Sequence, residues 1–278
     1  MSLQIDKKLM SLVDNLPKGM VATSTWLKEF GISRQLVQKY KQSGWISPIG
    51  RGAYKRTNEQ VSVYGAVYAL QKQCKFAVHI GATSALDQHG VSHYLRMNER
   101  TLFLFSDHQE KLPAWFRKYQ WSEKPNHVTT NFLPRTVGIT ELEIDGFELK
   151  VSSTERAILE ALYLTPKQLD LVEVYQIIEG LQTLRPSLVQ ELLENCKSIK
   201  VKRLFLYMAE KANLPVLKHL KMVKINVGSG DRTIVAEGAY VSKYVSKYGL
   251  TLPEELVELT YSPHPTTRQA SASTRQQK

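Results

Sequence analysis

The chain has 278 residues, 42% of them hydrophobic and 23% charged, with a formal net charge of +11. That is an ordinary globular composition at about twice the usual single-domain length, so two domains are expected. No apolar run approaches the roughly 18 residues that a membrane span needs. Asp6, Lys7 and Lys8 interrupt the apolar pattern of the first ten residues, which excludes the apolar core of a secretion signal. Cys74 and Cys196 are too few and too far apart for a disulfide framework or a cysteine-rich metal site, and read as reduced, buried thiols of a cytoplasmic protein.

Leu3, Ile5, Leu9, Leu12, Val13 and Leu16 recur at helical spacing until Pro17 and Gly19 end the run. Thr23, Ser24 and Thr25 are candidate caps for a second, short helix through Trp26, Leu27 and Phe30, closed by Gly31. Ser33 caps a third helix that runs to about Ser43. Trp45-Ile46-Ser47-Pro48-Ile49-Gly50-Arg51-Gly52-Ala53-Tyr54-Lys55 then reads as a hairpin pinned by Trp45 and Tyr54. Three helices and a hairpin, with a tight turn before the third helix, is the order of a winged helix-turn-helix.

Beyond it the spacing predicts helices over 61–73 and 79–89, and a buried strand over 101–106. A short helix at 111–119 follows, then strands at 128–133 and 139–144, the second turning at Asp145-Gly146 into 147–151. Ser152 and Ser153 cap a helix over 154–164, and further helices fall at 169–183, 186–196 and 200–212. Strands are expected at 222–227 and 234–236, around the polar turn 228–232. Residues 262–278, rich in Ser, Thr and Gln, read as a disordered tail. The expected class is α+β: an N-terminal winged helix-turn-helix within residues 1–95, then a larger mixed α/β domain over 96–261.

Charge is unevenly placed. Residues 1–60 carry a net +6, residues 61–150 +1, residues 151–196 −4 and residues 197–278 +8. Two basic segments suit a polyanionic partner. Stepped at about 100° per residue, the third helix puts Leu36, Val37 and Tyr40 on one face. The other face collects Arg34, Gln35, Gln38, Lys39 and Gln42, without an acid. Arg pairs bidentately with guanine and Gln with adenine, so Ser33, Arg34, Gln35, Gln38, Lys39 and Gln42 are the candidate DNA-reading residues. Arg51, Lys55 and Arg56, on and after the wing, are the candidate phosphate contacts. In the second basic segment Lys218, Lys221 and Lys224, three apart, share a face if a helix reaches them; with Lys243 and Lys247 they form a candidate partner surface among interleaved tyrosines.

Gly44-Trp45-Ile46, Ile49-Gly50-Arg51-Gly52-Ala53-Tyr54, His79-Ile80-Gly81-Ala82-Thr83-Ser84-Ala85-Leu86-Asp87-Gln88-His89-Gly90, Ser92-His93-Tyr94-Leu95, Val151-Ser152-Ser153-Thr154-Glu155-Arg156-Ala157-Ile158-Leu159-Glu160 and Gly238-Ala239-Tyr240-Val241-Ser242-Lys243-Tyr244 follow one another in an order that resembles the AbiEi antitoxins, over about residues 5–255. Ala239 departs from the pattern, where a second glycine is expected. The resemblance implies an antitoxin of a type IV toxin–antitoxin system, of the kind used in phage abortive infection. It implies an N-terminal winged helix that represses the shared operon at inverted repeats, with the reading helix at Ser33–Ser43 and the wing at Ile46–Lys55. It also implies a C-terminal domain that counters a nucleotidyltransferase-like toxin, with no cofactor and no catalytic residues. Some relatives are simply transcriptional regulators without a toxin partner.

Other patterns compete. Glu148 and Lys150, with Asp145 and Asp107, resemble the acid-acid-lysine set of metal-dependent nucleases, although alternation on a solvated strand yields the same letters. His79, His89, His93 and Cys74 match no common zinc spacing. Gly228-Ser229-Gly230 lacks the Lys-Ser/Thr of a phosphate loop and reads as a turn.

Overall fold

The computed structural model describes residues 10, 12, 16–91, 101–235 and 241–259. Most of the expected first helix, Ser92–Leu95, the Gly238–Tyr240 signature and the tail fall outside these. Leu12 and Leu16 are fully buried.

The N-terminal unit contains β1 (Ala22–Thr23), α1 (Ser24–Glu29), α2 (Arg34–Gln42), β2 (Ile46–Gly50) and β3 (Ala53–Arg56). Of the three candidate caps, Thr23 is the one used: its Oγ1 accepts from Trp26 N. Ser33 Oγ accepts from Leu36 N at 3.3 Å and starts α2 where the sequence placed it. β2 and β3 form the antiparallel wing, and β1 joins on the far side of β3.

The larger unit opens with α3 (Val63–Tyr68), which passes into a π turn at Ala69–Gln73. Next come β4 (His79–Ile80), α4 (Ala82–Gln88), β5 (Thr101–Ser106), α5 (Ala114–Lys118), β6 (Lys124–Thr129), β7 (Ile139–Ile144) and β8 (Phe147–Ser152). Helices α6 (Thr154–Leu164), α7 (Leu171–Glu179), α8 (Pro186–Asn195) and α9 (Ile199–Lys211) follow, then β9 (Arg232–Thr233), β10 (Ser242–Val245), β11 (Leu250–Pro253) and α10 (Glu254–Glu258). The main sheet has the order β6-β5-β4-β8-β7, and a small sheet has the order β10-β11-β9.

Four expected elements differ, one being the strand expected at 234–236, where β9 lies at Arg232–Thr233, at the end of the expected turn. The strand expected at 128–133 lies at 124–129, paired in parallel with β5 from Thr101↔Lys124 to Ser106↔Thr129. Apolar content pointed to Phe132 and Leu133, which are buried in irregular chain instead. The real strand contains Pro125 and is tolerated because β6 is an edge. The expected helix at 79–89 starts as a strand, and α4 begins only at Ala82. Met222–Val227 is not a strand; a 3-10 turn occupies Met222–Lys224.

β4 sits in the middle of the main sheet, paired with β5 and β8. Residues 79–88 therefore pack with that sheet. The buried apolar side chains form one continuous core from Leu12 to Leu256.

At the centre of that core is a carboxylate. Glu160, on α6, is 0% exposed. Its Oε1 accepts from His79 Nε2 and Arg156 Nε, both at 2.8 Å. Its Oε2 accepts from Ser152 Oγ at 2.7 Å and Ala82 N at 3.1 Å. Arg156 Nη1 also donates to the carbonyls of Pro134 and Val137. Four donors fill the carboxylate's acceptor sites. Desolvation pushes its pKa up, but the charges and hydrogen bonds of His79, Arg156 and Ser152 outweigh it and hold the group at about 2. Gly81 is required beside it, because a Cβ there would come within 2.3 Å of Oε2.

Removing one member of a buried, satisfied ion pair costs about 3–5 kcal/mol. Glu160→Ala should therefore lower unfolding free energy by about that much, measured by urea titration. Glu155 is likewise held at about 2, where burial is outweighed by the Arg185 side chain and backbone N–H. Both groups have folded values below the ordinary 4.5. Their stabilisation is present above that value and lost as pH falls from about 4.5 towards 2. Unfolding midpoints measured through that window should drop steeply in the native chain and less in Glu160→Ala.

Candidate nucleic-acid interface

On α2, Val37 and Tyr40 are buried and Leu36 half-buried, while Arg34, Gln35, Gln38, Lys39 and Gln42 are all exposed. The face is acid-free, as its sequence expects. Gln38 Oε1 accepts from Lys41 Nζ at 3.4 Å, which biases the amide to offer its N–H groups outward. The hydroxyl of Ser33 is engaged as the helix cap.

The wing cations are not equivalent. Arg51, at the turn, is exposed. Lys55 Nζ donates to the Glu59 carbonyl at 2.8 Å, and Arg56 Nη1 pairs with the Glu59 carboxylate at 3.1 Å. Of the three wing cations, Lys55 and Arg56 are thus held towards Glu59, whereas Arg51 stands at the exposed turn. Trp45 does not pin the wing. Its ring is 51% exposed, and its backbone is held by Tyr40 O and Thr57 N. Tyr54 does sit half-buried, opposite Ala22 in β1.

The body touches both edges of the wing sheet. On the β1 side, Gln73 accepts from Thr23 N through Oε1 and donates to Val21 O through Nε2, each at 2.8 Å. That amide imitates a neighbouring strand. Gln71, on the same π turn, donates to Val78 O and Lys150 O and accepts from Lys150 N. One irregular turn thus ties the reader to the body, a frequent use of π turns. On the β2 side, Gly50 lies against α5, where an added Cβ would approach Trp115 Cβ to 2.7 Å.

The second basic surface is partly dismantled. α9 ends at Lys211, so Lys218, Lys221 and Lys224 are not on one helix face; they lie on and between two 3-10 turns, all exposed. Lys243 is paired with Glu254 at 3.0 Å and with Glu258, and Lys247 with Glu210. Lys243 thus links the small sheet to α10, and Lys247 pairs with α9. Beside them runs a cleft of about 620 Å³, lined by Leu206, Leu217, Met222 and Tyr244 among others. Gly228-Ser229-Gly230 is a turn, as read, wrapped on the buried guanidinium of Arg203, which donates to the carbonyls of Val227, Gly228, Gly230 and Gly249.

Several residues of the competing readings are engaged in structural bonds, while His93 lies outside the described residues. Asp107 pairs with Arg135, and Glu148 with Lys72. His79 holds Glu160, and His89 Nε2 bonds Ser152 O. Burial pushes both thiols up, with Cys74 near Thr23 and Cys196 near Ser198. No group of three His, Cys, Asp or Glu that could hold a metal occurs among the described residues. No helix among them is long and apolar enough to cross a membrane.

The fold and this interface define a two-part regulator: a winged helix-turn-helix mounted on a larger α+β body. The family model described as a transcriptional regulator, AbiEi antitoxin N-terminal domain, matches residues 5–97. The one described as a transcriptional regulator, AbiEi antitoxin of a type IV toxin–antitoxin system, matches residues 99–253. The chain belongs to this AbiEi family. Among solved structures, the RV2827C protein from Mycobacterium tuberculosis shares the fold, with a TM-score of 0.59 and 14% identity over 90% of this chain and 92% of that one. No curated relative matches the sequence.

The seam between reader and body has a direct test. Gln73→Ala leaves Thr23 N and Val21 O without their buried partner, which should cost about 1–3 kcal/mol in urea unfolding. Faster amide hydrogen exchange at Thr23 and in β3, with β8 unchanged, would locate the loss at this edge.

Proposed function

We propose that this chain is a DNA-binding antitoxin and autorepressor that acts by binding rather than catalysis. It binds inverted repeats in its own promoter as double-stranded DNA, in the cytoplasm, and counters a nucleotidyltransferase-like toxin through its C-terminal body. The observation that carries the reading is the exposed, acid-free face of α2, which includes Arg34 and Gln38, together with the exposed Arg51 at the wing turn. A solvated helix face ordinarily mixes acids with bases. Arg34 and Gln38 suit the major-groove edges of guanine and adenine, and Arg51 suits phosphate or the narrow groove beside them. Lys218, Lys221 and Lys224, exposed near the cleft, are the surface proposed for antitoxicity.

Protection of two repeats upstream of its own gene, in a footprint at moderate salt, is the direct test; no protection there would end the reading. Arg34→Ala or Gln38→Ala should cost about 1–3 kcal/mol of specific binding and relax base choice. Arg51→Ala should weaken all sequences alike and lower the salt dependence by about one phosphate contact. Co-expression with the neighbouring nucleotidyltransferase gene, scored by host growth, tests the other activity. There, glutamate at positions 218, 221 and 224 should impair rescue and leave operator binding nearly unchanged. Loss of rescue only when repression is also lost would reduce antitoxicity to repression.

A further inference from the structure

The surface beside the wing does not stop at Arg51. β2 is an edge of the wing sheet, and α5 of the body lies against its last residue. A Cβ on Gly50 would come within 2.7 Å of Trp115 Cβ and 2.9 Å of Trp115 Cα, so the two backbones touch where only glycine fits. Gly50 immediately precedes Arg51, so α5 sits beside the wing turn.

On α5, Trp115 and Phe116 are buried while Arg117 and Lys118 are exposed. Lys118 is three residues beyond Trp115 and therefore lies on the helix side that meets the wing. Arg117 Nε donates to Leu112 O at 3.0 Å, which holds the base of its guanidinium in place. The stretch 111–118, Lys-Leu-Pro-Ala-Trp-Phe-Arg-Lys, holds three cations and no acid. The acids on either side are engaged: Asp107 with Arg135, Glu110 with Ala77 N, and Glu123 with the Tyr64 hydroxyl. Nothing acidic within this stretch neutralises the two exposed cations.

We propose that α5 is a second DNA-contacting element, in which Arg117 and Lys118 grip backbone phosphates of the duplex just beyond the half-site read by α2. The proposal rests on the operator reading above. Phosphate is the fitting partner because these are cations on a rigid helix, continuous with the wing and without an exposed apolar side chain between them. Their position makes the body part of the DNA footprint, and the Gly50–Trp115 contact fixes their register against the wing.

The test is the salt dependence of operator binding by the full chain, on a duplex with long flanks and on one cut at the edge of the half-site. Each phosphate contact contributes about 0.9 to the slope of log K against log salt. The double variant Arg117→Gln/Lys118→Gln should lower the slope by about 1.8 on the long duplex, leave base choice unchanged, and behave like the native chain on the short one. A native melting temperature for the variant, with Trp115 fluorescence undisturbed, shows that the wing support is intact. An unchanged slope on the long duplex, or an equal loss on both duplexes, overturns the proposal while leaving the operator reading standing. A native chain that binds neither duplex removes the operator reading, and this inference with it.

Discussion

The buried carboxylate of Glu160 is the constraint around which the body is arranged. It comes from α6, but its donors come from β4, β8, α4 and α6 itself. Each would be unsatisfied in an apolar interior without it, and the carboxylate would be far too costly to bury without them. The need to place His79 and the Ala82 amide on either side of one oxygen pair sets the short β4, the close approach at Gly81 and the late start of α4. Ala82 itself is held at φ 47, a left-handed conformation that the surrounding bonds keep in place.

That arrangement determines how the DNA reader is carried. With β4 locked in mid-sheet, the π turn just before it is fixed, and its two glutamines face opposite ways. Gln71 bonds the sheet of the body and Gln73 bonds the edge of the wing sheet. The opposite edge rests on α5 through Gly50. The β1 edge is satisfied by the Gln73 amide, which keeps it from pairing with other chains. α2 and the wing are thus held against the body.

Charge tells a similar story of placement over composition. The last 82 residues carry a net +8, yet several of their cations are inside the structure. Arg203 is buried among four carbonyls. Lys200 donates to the carbonyls of Tyr163 and Thr165, and burial, with nearby Lys167, pushes it down to about 8. Lys243 and Lys247 are tied to acids. Lys218, Lys221 and Lys224, on and between the 3-10 turns, are exposed and enter no ion pair among the described residues.

The sequence by itself determined the winged helix-turn-helix, because its signals are local. Caps at Thr23 and Ser33, helical spacing in α2 and a Gly-Arg-Gly turn each act within a few residues, and the ordered motifs from the wing to Glu160 carried the family. The pair β7–β8, joined at Asp145-Gly146, was legible for the same reason. Only the tertiary structure decided the rest. β6 was hidden because an edge strand can hold Pro125 and polar residues that no periodicity marks. β4 was hidden because two residues are too short to show a period, and His79 is a strand residue through its pairing with Phe105, 26 positions away. Which cations stay free depends on which acids fold beside them: Glu59 beside Arg56, Glu254 beside Lys243 and Glu210 beside Lys247. Pairing across such distances is fixed by packing, and no local pattern encodes it.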